Sequence, residues 1–290
     1  MPAGKGLSMT EANTASHRLP FFLMLGVSLL TLVLRVLDLL WYTDPATGFV
    51  TNGFFFVRIA VPALGVALSY AAASRVHRRP RALLGPCPGM GVGLLALTVA
   101  MAASALLRLP DLAAAFDPLD LVAAVTALLT ALWAMLWGVR AFGPLADPTR
   151  PLPGTLTSLP GTFFFLWTMI DRFAIAPASV MRLGSTLRVL SGAAALLFLS
   201  MLLRVFLTPG LPVGRSMFAA GMIAFMLCTC HELPQAVFEF CNGISSPAGL
   251  AVGIAMGLWG LTGLVCAWYA SGEGLPMPPD RTFAPKAKKQ

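Results

Sequence analysis

Ionisable side chains lie inside stretches of the chain that are otherwise apolar, and seven of them are candidate site residues. They are Arg35, Asp38, Arg58, Asp171, Arg172, His231 and Glu232. At the centre of a membrane-spanning helix such a group costs about 2.5–3.5 kcal/mol, so it is kept where it pairs, faces water or serves a function. The mixed signs indicate either mutual ion pairing or a polar cavity for a small polar or anionic solute.

The spacing of these residues predicts particular partners. Arg35 and Asp38 are three residues apart, which places them on one face of a helix, where they can pair. Arg58 follows after a short loop and at a similar depth, so it can also reach Asp38. Asp171 and Arg172 are adjacent and point about 100° apart on a helix. We therefore expect each of these two to have a partner on another helix.

The segment Cys-Thr-Cys-His-Glu-Leu-Pro, residues 228–234, carries the densest chemistry of the chain. Cys228, His231 and Glu232 have helical spacings that suit metal ligands, but the segment contains no H-E-x-x-H or C-x-x-C-H motif. No metal and no cofactor is therefore predicted. Pro234 is expected to kink the helix beside His231 and Glu232. These two residues form either a proton relay, because histidine titrates near neutrality, or a paired carboxylate beside a neutral core histidine.

Nucleophilic catalysis has little support in the sequence. A serine nucleophile needs a base in a polar pocket, and of the three histidines only His231 lies outside predicted cytoplasmic segments, with no G-x-S-x-G motif in the chain. Intramembrane aspartate chemistry needs two central aspartates, and only Asp171 is central. The residues match no motif of a family of known activity. An enzyme, such as one that acts on a lipid, is the least favoured interpretation.

The elements that must position these residues are membrane-spanning helices. Of the 290 residues, 57% are hydrophobic and only 11% are charged, whereas a soluble domain has about 25% charged residues. A spanning helix needs about 20 apolar residues, and lipid leaves no partner for unpaired backbone groups. We predict an all-α polytopic integral membrane bundle of about eight helices. The predicted spans are residues 19–40, 53–74, 89–107, 119–140, 160–181, 188–207, 215–239 and 249–270.

This arrangement forms one transmembrane domain, residues 19–270, between two tails. Loops on one side hold thirteen Lys and Arg residues against three on the other, which places the tails 1–18 and 271–290 in the cytoplasm. The Pro-rich C-terminal tail is expected to be disordered. The loop 182–188 is the weak point, since a re-entrant span before it would invert all that follows. The Arg-rich, Ala-rich composition suggests a bacterial plasma membrane.

Two further segments predict contacts rather than chemistry. The basic loop 75–81 is expected to contact anionic lipid headgroups, and nucleic acid is not favoured as its partner. Gly249, Gly253 and Gly257 recur every four residues, a spacing typical of close helix packing. This face either docks on the bundle or forms a homodimer.

Two main functions remain open at this stage. The first is binding or transport of a small polar or anionic solute at a site in the outer half of the bundle, where Arg35, Arg58 and Arg172 hold an anionic group. The second is a structural or accessory membrane subunit, in which the same charges are sealed ion pairs.

Overall fold

The computed structural model describes residues 7–46, 50–51, 55–145, 155–175, 183–208 and 210–274. Over these residues the chain is helical, with short 3₁₀ turns at Arg81–Leu83 and Thr155–Ser158 and a π-helix at Phe225–Glu232. The α-helices are α1 Leu7–Trp41, α2 Phe55–Ala73, α3 Pro88–Leu106, α4 Leu109–Ala114, α5 Pro118–Ala141, α6 Pro160–Ile175, α7 Leu183–Leu207, α8 Gly214–Ala224, α9 Leu233–Cys241 and α10 Pro247–Ala270.

Six helical segments among the described residues are long and apolar enough to cross a membrane. They are Arg18–Trp41, Pro88–Ala114, Pro118–Ala141, Thr186–Leu207, Gly214–Cys241 and Pro247–Ala270. The predicted all-helical membrane fold is thus supported. The other two predicted spans coincide with α2, whose apolar part is Arg58–Ala73, and with α6, which has 16 residues, and the count of about eight stays a prediction.

The predicted start of the first span does not coincide with the start of the first helix. α1 begins at Leu7, well before the predicted start of the first span at residue 19, because the residues before Arg18 continue the same helix. At the other end α10 stops at Ala270, close to the predicted boundary. The predicted disorder covers 271–290, but residues 271–274 are described and the carbonyl of Glu273 accepts from the amide of Arg81 at 2.9 Å; residues 275–290 lie outside the described residues.

Neighbouring helices pack antiparallel, which sorts their termini into two groups. The hydroxyl of Thr98 on α3 donates to the carbonyl of Ala131 on α5, at 3.3 Å, while Arg108 after α3 pairs with Asp120 at the start of α5. In the core, the fully buried Trp259 of α10 packs against aromatic rings of α5, α6 and α7, with ring centroids 4.7 to 6.4 Å away. Such aromatic pairs contribute about 0.5–1.5 kcal/mol each beyond their buried area.

One group of helix termini meets at what we call the basic-loop end. Here backbone atoms join three segments of the chain. The amide of Gly214, at the start of α8, donates to the carbonyl of Arg78 at 2.9 Å, and the amide of Arg81 donates to the carbonyl of Glu273 at 2.9 Å. The loop between α2 and α3 is therefore tied to α8 and to the segment that follows α10.

The opposite end, here called the site end, gathers the charged residues predicted from the sequence. It contains the C-terminal ends of α1, α3, α6 and α9 and the N-terminal ends of α2, α5, α7 and α10. Ion pairs connect these helices, in addition to a backbone bond between the α1 and α2 segments, from the amide of Thr51 to the carbonyl of Tyr42 at 2.9 Å. The ion pairs are Asp38–Arg58, Arg108–Asp120, Arg172–Glu232 and Arg188–Glu239.

The glycines of α10 lie close to α9 of the same chain. A Cβ on Gly257 would lie 3.0 Å from Cδ2 of Leu233, and a Cβ on Gly253 would overlap that of Ala236. Gly249 lies one turn earlier, where a Cβ would meet the hydroxyl of Ser245. Gly253 and Gly257 thus permit close packing inside the bundle, and a homodimer through this face stays a prediction.

Candidate functional site

A chain of hydrogen bonds runs from α2 through α1 to α9. Asp38 accepts from Nη1 of Arg35 at 2.7 Å and from Nε of Arg58 at 2.6 Å, so both pairs predicted from the spacing are confirmed. Arg35 also donates from Nη2 to the side-chain oxygen of Gln235, whose amide donates to Glu239 at 2.6 Å.

The chain of bonds continues through α7 to α6. Glu239 pairs with the guanidinium of Arg188, and the backbone carbonyl of Arg188 accepts from Nη1 of Arg172 at 3.0 Å. Arg172 in turn pairs with Glu232, which also accepts from the hydroxyl of Ser191. Glu232 is almost fully buried, at 3% exposure, so it depends on these two donors.

Asp171 is not a member of this hydrogen-bond network. We expected it to have its own partner on another helix, yet no hydrogen bond or ion pair reaches its carboxylate within the described part of the chain. Arg108, Arg172 and Asp120 act on it electrostatically without a direct contact. Arg108 is already paired with Asp120 and Arg172 with Glu232.

A π-helix carries both His231 and Glu232, and their side chains point into two different cavities. Over Phe225–Glu232 the turns are wide, and the amide of Leu233 bonds to the carbonyl of Cys228, five residues earlier. Pro234 follows directly and has no amide hydrogen to donate. The kink predicted at Pro234 stays a prediction, and the π-helix directly before it is a rare element that is frequent at functional sites.

His231 lines a cavity between α1, α2 and α7, which we call the apolar-walled cavity. Its volume is about 290 Å³, and its lining includes the polar residues Thr31, Arg35, Asp38, Tyr42, Arg58 and His231. The remaining walls are apolar or aromatic, and Trp41 is the largest of them.

Glu232 lines a second cavity, here called the polar cavity, of about 170 Å³. It lies among α3, α5, α6, α7, α9 and α10. Three guanidinium groups and two carboxylates face it, together with Ser104, Thr168 and Ser245. The charged groups are those of Arg108, Asp171, Arg172, Arg188 and Glu232. Gly249 and Gly253 form part of its wall, so their missing side chains also leave room for this cavity.

The seven residues predicted from the sequence thus divide between two cavities at the same end of the bundle. Arg35, Asp38, Arg58 and His231 line the apolar-walled cavity, and Asp171, Arg172 and Glu232 line the polar one. Within the described ranges no group of three or more His, Cys, Asp or Glu side chains is placed to hold a metal ion.

Sequence reasoning missed several members of the network, chiefly Arg108, Asp120, Arg188, Ser191 and Gln235. Arg108 and Arg188 were assigned to loops, whereas Arg188 lies inside α7, which begins at Leu183. Two spacings could have revealed part of this set. Ser191 follows Arg188 by three residues and Gln235 precedes Glu239 by four, so each pair shares a helix face.

Comparison with family models, with curated proteins and with solved structures found no match. The geometry of the two cavities therefore carries the functional conclusion.

Proposed function

We propose that this chain is a membrane protein that binds a small polar solute carrying a protonated amine in the polar cavity. The observation that supports this proposal is Asp171, a carboxylate with no hydrogen-bond or ion-pair partner among the described residues that faces a cavity. The volume of about 170 Å³ is below the roughly 300 Å³ at which drug-sized pockets begin. The solute is therefore small.

The charge count around the polar cavity favours a cation over an anion. Each of its three arginines already has a carboxylate partner, namely Asp120, Glu232 or Glu239. Asp171 is the one carboxylate in this set without an arginine partner, so the three arginines and four carboxylates together carry one net negative charge. A charge held away from bulk water is costly unless it is paired, and a protonated amine would supply that pair. An anionic group on the same solute would lie nearest to Arg108 and Arg172.

The orientation that we propose places this cavity on the outside. The basic-loop end carries most of the Lys and Arg residues, and by the positive-inside rule such an end lies in the cytoplasm. We propose a plasma-membrane location with both termini cytoplasmic and with the loop 75–81 near anionic headgroups. The solute then enters the polar cavity from outside the cell.

A second candidate function is an accessory membrane subunit. It is favoured by the pairing of Arg172 with Glu232 and of Arg188 with Glu239, which join helices without any ligand. In this alternative the charges fix how the helices pack, and the polar cavity is sealed from water.

Water access at position 171 distinguishes the two candidates. Asp171→Cys would be made in a variant that lacks the five native cysteines and treated with a membrane-impermeant maleimide from outside. The control is Phe173→Cys, since Phe173 is 77% exposed on the outer surface of α6 and faces lipid rather than the cavity. We expect labelling at 171 and none at 173. Protection at 171 in folded protein would contradict solute binding and favour the accessory subunit.

The class of solute is tested with four probes of similar size: ethanolamine, glycine, glycolate and ethylene glycol. At ten times its Kd a ligand stabilises the folded state by about 1.4 kcal/mol, which a thermal unfolding scan of the purified protein detects. We expect ethanolamine or glycine to stabilise the protein and Asp171→Asn to abolish the effect. The exposed Asp111 provides the control, Asp111→Asn. Stabilisation by glycolate alone would contradict the proposal.

A further inference from the structure

A third cavity lies between α1 and α2 toward the basic-loop end, and we call it the α1–α2 groove. It is lined by residues between positions 19 and 27 of α1 and between positions 68 and 75 of α2. Its volume of about 490 Å³ exceeds that of either cavity at the site end. The lining is apolar apart from Arg75, the one charged residue among the described residues that form it. The groove is thus chemically distinct from the two cavities described above.

Two features leave the α1–α2 groove open. Ala71 and Ala72 line it from α2, and their methyl side chains are too small to fill the space beside α1. At the site end α1 and α2 are joined by the ion pair of Asp38 and Arg58. Beside the groove, no hydrogen bond or ion pair joins the described residues of the two helices. The pair of helices is therefore tied at one end and leaves room for another molecule at the other.

The walls of the groove suit a lipid acyl chain. Leu19, Leu23 and Leu68 line it and are 54%, 58% and 38% exposed, so the groove is open at the outer surface of the bundle. In a membrane that surface meets hydrocarbon, where no water is present to fill the space. From Leu19 to Val27 the helix rises about 12 Å, which is close to the roughly 15 Å of hydrocarbon in one leaflet. The groove therefore has the length of an acyl chain from a single leaflet.

The charge at the end of the groove indicates the headgroup. The side chain of Arg75 is exposed and has no hydrogen-bond or ion-pair partner among the described residues. Arg78 and Arg81 follow in the same loop and are also exposed. From position 18 onward, Glu273 is the one acidic residue that the structure describes at the basic-loop end. A guanidinium can donate two parallel hydrogen bonds to a phosphate, and the surrounding arginines disfavour a headgroup that also carries an amine.

We propose that the α1–α2 groove binds one anionic phospholipid. Arg75 holds its phosphate, and one of its acyl chains lies between α1 and α2. This is more specific than contact of the loop 75–81 with headgroups in general, because one lipid is held at one place. The site rests on the proposed membrane location of the chain but not on solute binding in the polar cavity, which lies at the other end of the bundle.

The test measures lipid binding to the full-length protein in detergent micelles by native mass spectrometry. The probes are phosphatidylglycerol, phosphatidylcholine and diacylglycerol, each with two oleoyl chains. A basic residue near a lipid surface contributes about a fivefold change in affinity. We therefore expect one phosphatidylglycerol per chain to bind about fivefold or more tightly than either of the others, and inorganic phosphate not to displace it. Equal affinity for phosphatidylglycerol and phosphatidylcholine, or displacement by inorganic phosphate, would overturn the proposal.

A matched pair of arginine variants tests the headgroup contact. Arg75→Gln removes the proposed phosphate ligand. Arg204→Gln removes another exposed arginine near the same end, on α7 and outside the groove. We expect the Kd for phosphatidylglycerol to rise about fivefold or more in Arg75→Gln and to stay unchanged in Arg204→Gln. Equal effects of the two changes would show that only the overall charge matters, and would overturn the assignment to Arg75.

A second matched pair tests the acyl-chain contact. Ala71→Trp fills the groove, whereas Ala60→Trp adds the same ring on the same face of α2, outside the groove and about 16 Å nearer the site end. Both alanines are exposed, so both variants should fold. We expect Ala71→Trp to abolish phosphatidylglycerol binding and Ala60→Trp to leave it unchanged. Unchanged binding in Ala71→Trp, or a dimer of the chain that Ala71→Trp alone disrupts, would overturn the proposal. The amine probes and Asp171→Asn test the polar cavity independently.

Discussion

Glu232 is the carboxylate on which the site end depends most. It is buried and joins α6 to α7 through Arg172 and Ser191. Replacing it with glutamine leaves Arg172 as a largely buried charge without its counter-ion. Breaking a buried pair from one side costs about 3–5 kcal/mol, so we expect Glu232→Gln to lower the unfolding free energy by that amount in an SDS titration of mixed micelles.

Asp171, which lines the same cavity as Glu232, provides the control for this prediction. Asp171→Asn makes the same chemical change on α6 at a residue with no ion-pair partner among those described. It should change the unfolding free energy by about 0.5 kcal/mol or less. Equal losses in the two variants would contradict the different roles assigned to Glu232 and Asp171.

The sequence predicted the local pairs of the site but not the distant ones. Arg35 and Asp38 had to meet because their spacing of three residues is fixed by helix geometry, and Arg58 joined them because a short loop makes α1 and α2 neighbours. Arg172 and Glu232 lie sixty positions apart, and which helices touch is decided by packing of the whole bundle. The seven residues lie at one end of the bundle, as their depths predicted, while their division between two cavities was not foreseen; their role in a functional site stays a prediction.

At the scale of elements, the π-helix could not have been predicted from composition. Its sequence, Phe225–Glu232, ends in His231 and Glu232, but these residue types do not distinguish a π-helix from an α-helix. The wider turn shifts the direction of every side chain after it. His231 and Glu232 are adjacent in this helix, so their side chains point in different directions. His231 reaches the cavity beside α1 and α2, and Glu232 reaches the cavity beside α6 and α7.

The contact between α8 and α10 yields a prediction about packing. A Cβ on Gly221 would overlap the carbonyl oxygen of Gly263, a backbone atom that cannot move aside cheaply, and a Cβ on Gly263 would lie 2.8 Å from the carbonyl oxygen of Gly221. Overpacking of this kind costs about 1–3 kcal/mol. We expect Gly221→Ala to lower the unfolding free energy within that range in the SDS titration.

Gly26 on α1 provides the control, because nothing lies within 4 Å of the position that its Cβ would occupy. Alanine is a better helix former than glycine by about 0.8–1.0 kcal/mol, so Gly26→Ala should leave stability unchanged or raise it. If Gly221→Ala behaves in the same way, α8 and α10 do not approach as closely as described.

At the scale of the molecule, the five cysteines report which end of the bundle faces outward. Cys241 is exposed at the site end, and the other four are buried. Burial raises the pKa of the Cys87 thiol to about 12, so at pH 8 roughly one in ten thousand of these thiols is the reactive thiolate. An impermeant maleimide applied to intact cells at pH 8 should therefore label only Cys241, and Cys241→Ala should abolish the labelling.

The opposite result has a clear meaning. Labelling of Cys241 only after the membrane is permeabilised would place the site end in the cytoplasm and would remove the proposed entry of solute from outside. It would also show that the positive-inside count gave the wrong orientation for the whole bundle, because ion pairs join helices before and after residues 182–188 at this one end.

The two ends of the bundle are held by different kinds of bond, and this affects how the chain can diverge over time. At the basic-loop end the donors and acceptors of Arg78, Arg81 and Glu273 are backbone atoms, so most side chains there can be exchanged as long as the loop keeps its length. Gly214 is an exception, because a Cβ on it would lie 2.6 Å from the ring of Pro80. At the site end the ion pairs that join the helices belong to side chains. We expect distant relatives to keep the residue types at the site end. At the basic-loop end we expect them to keep only the number of residues in the loop.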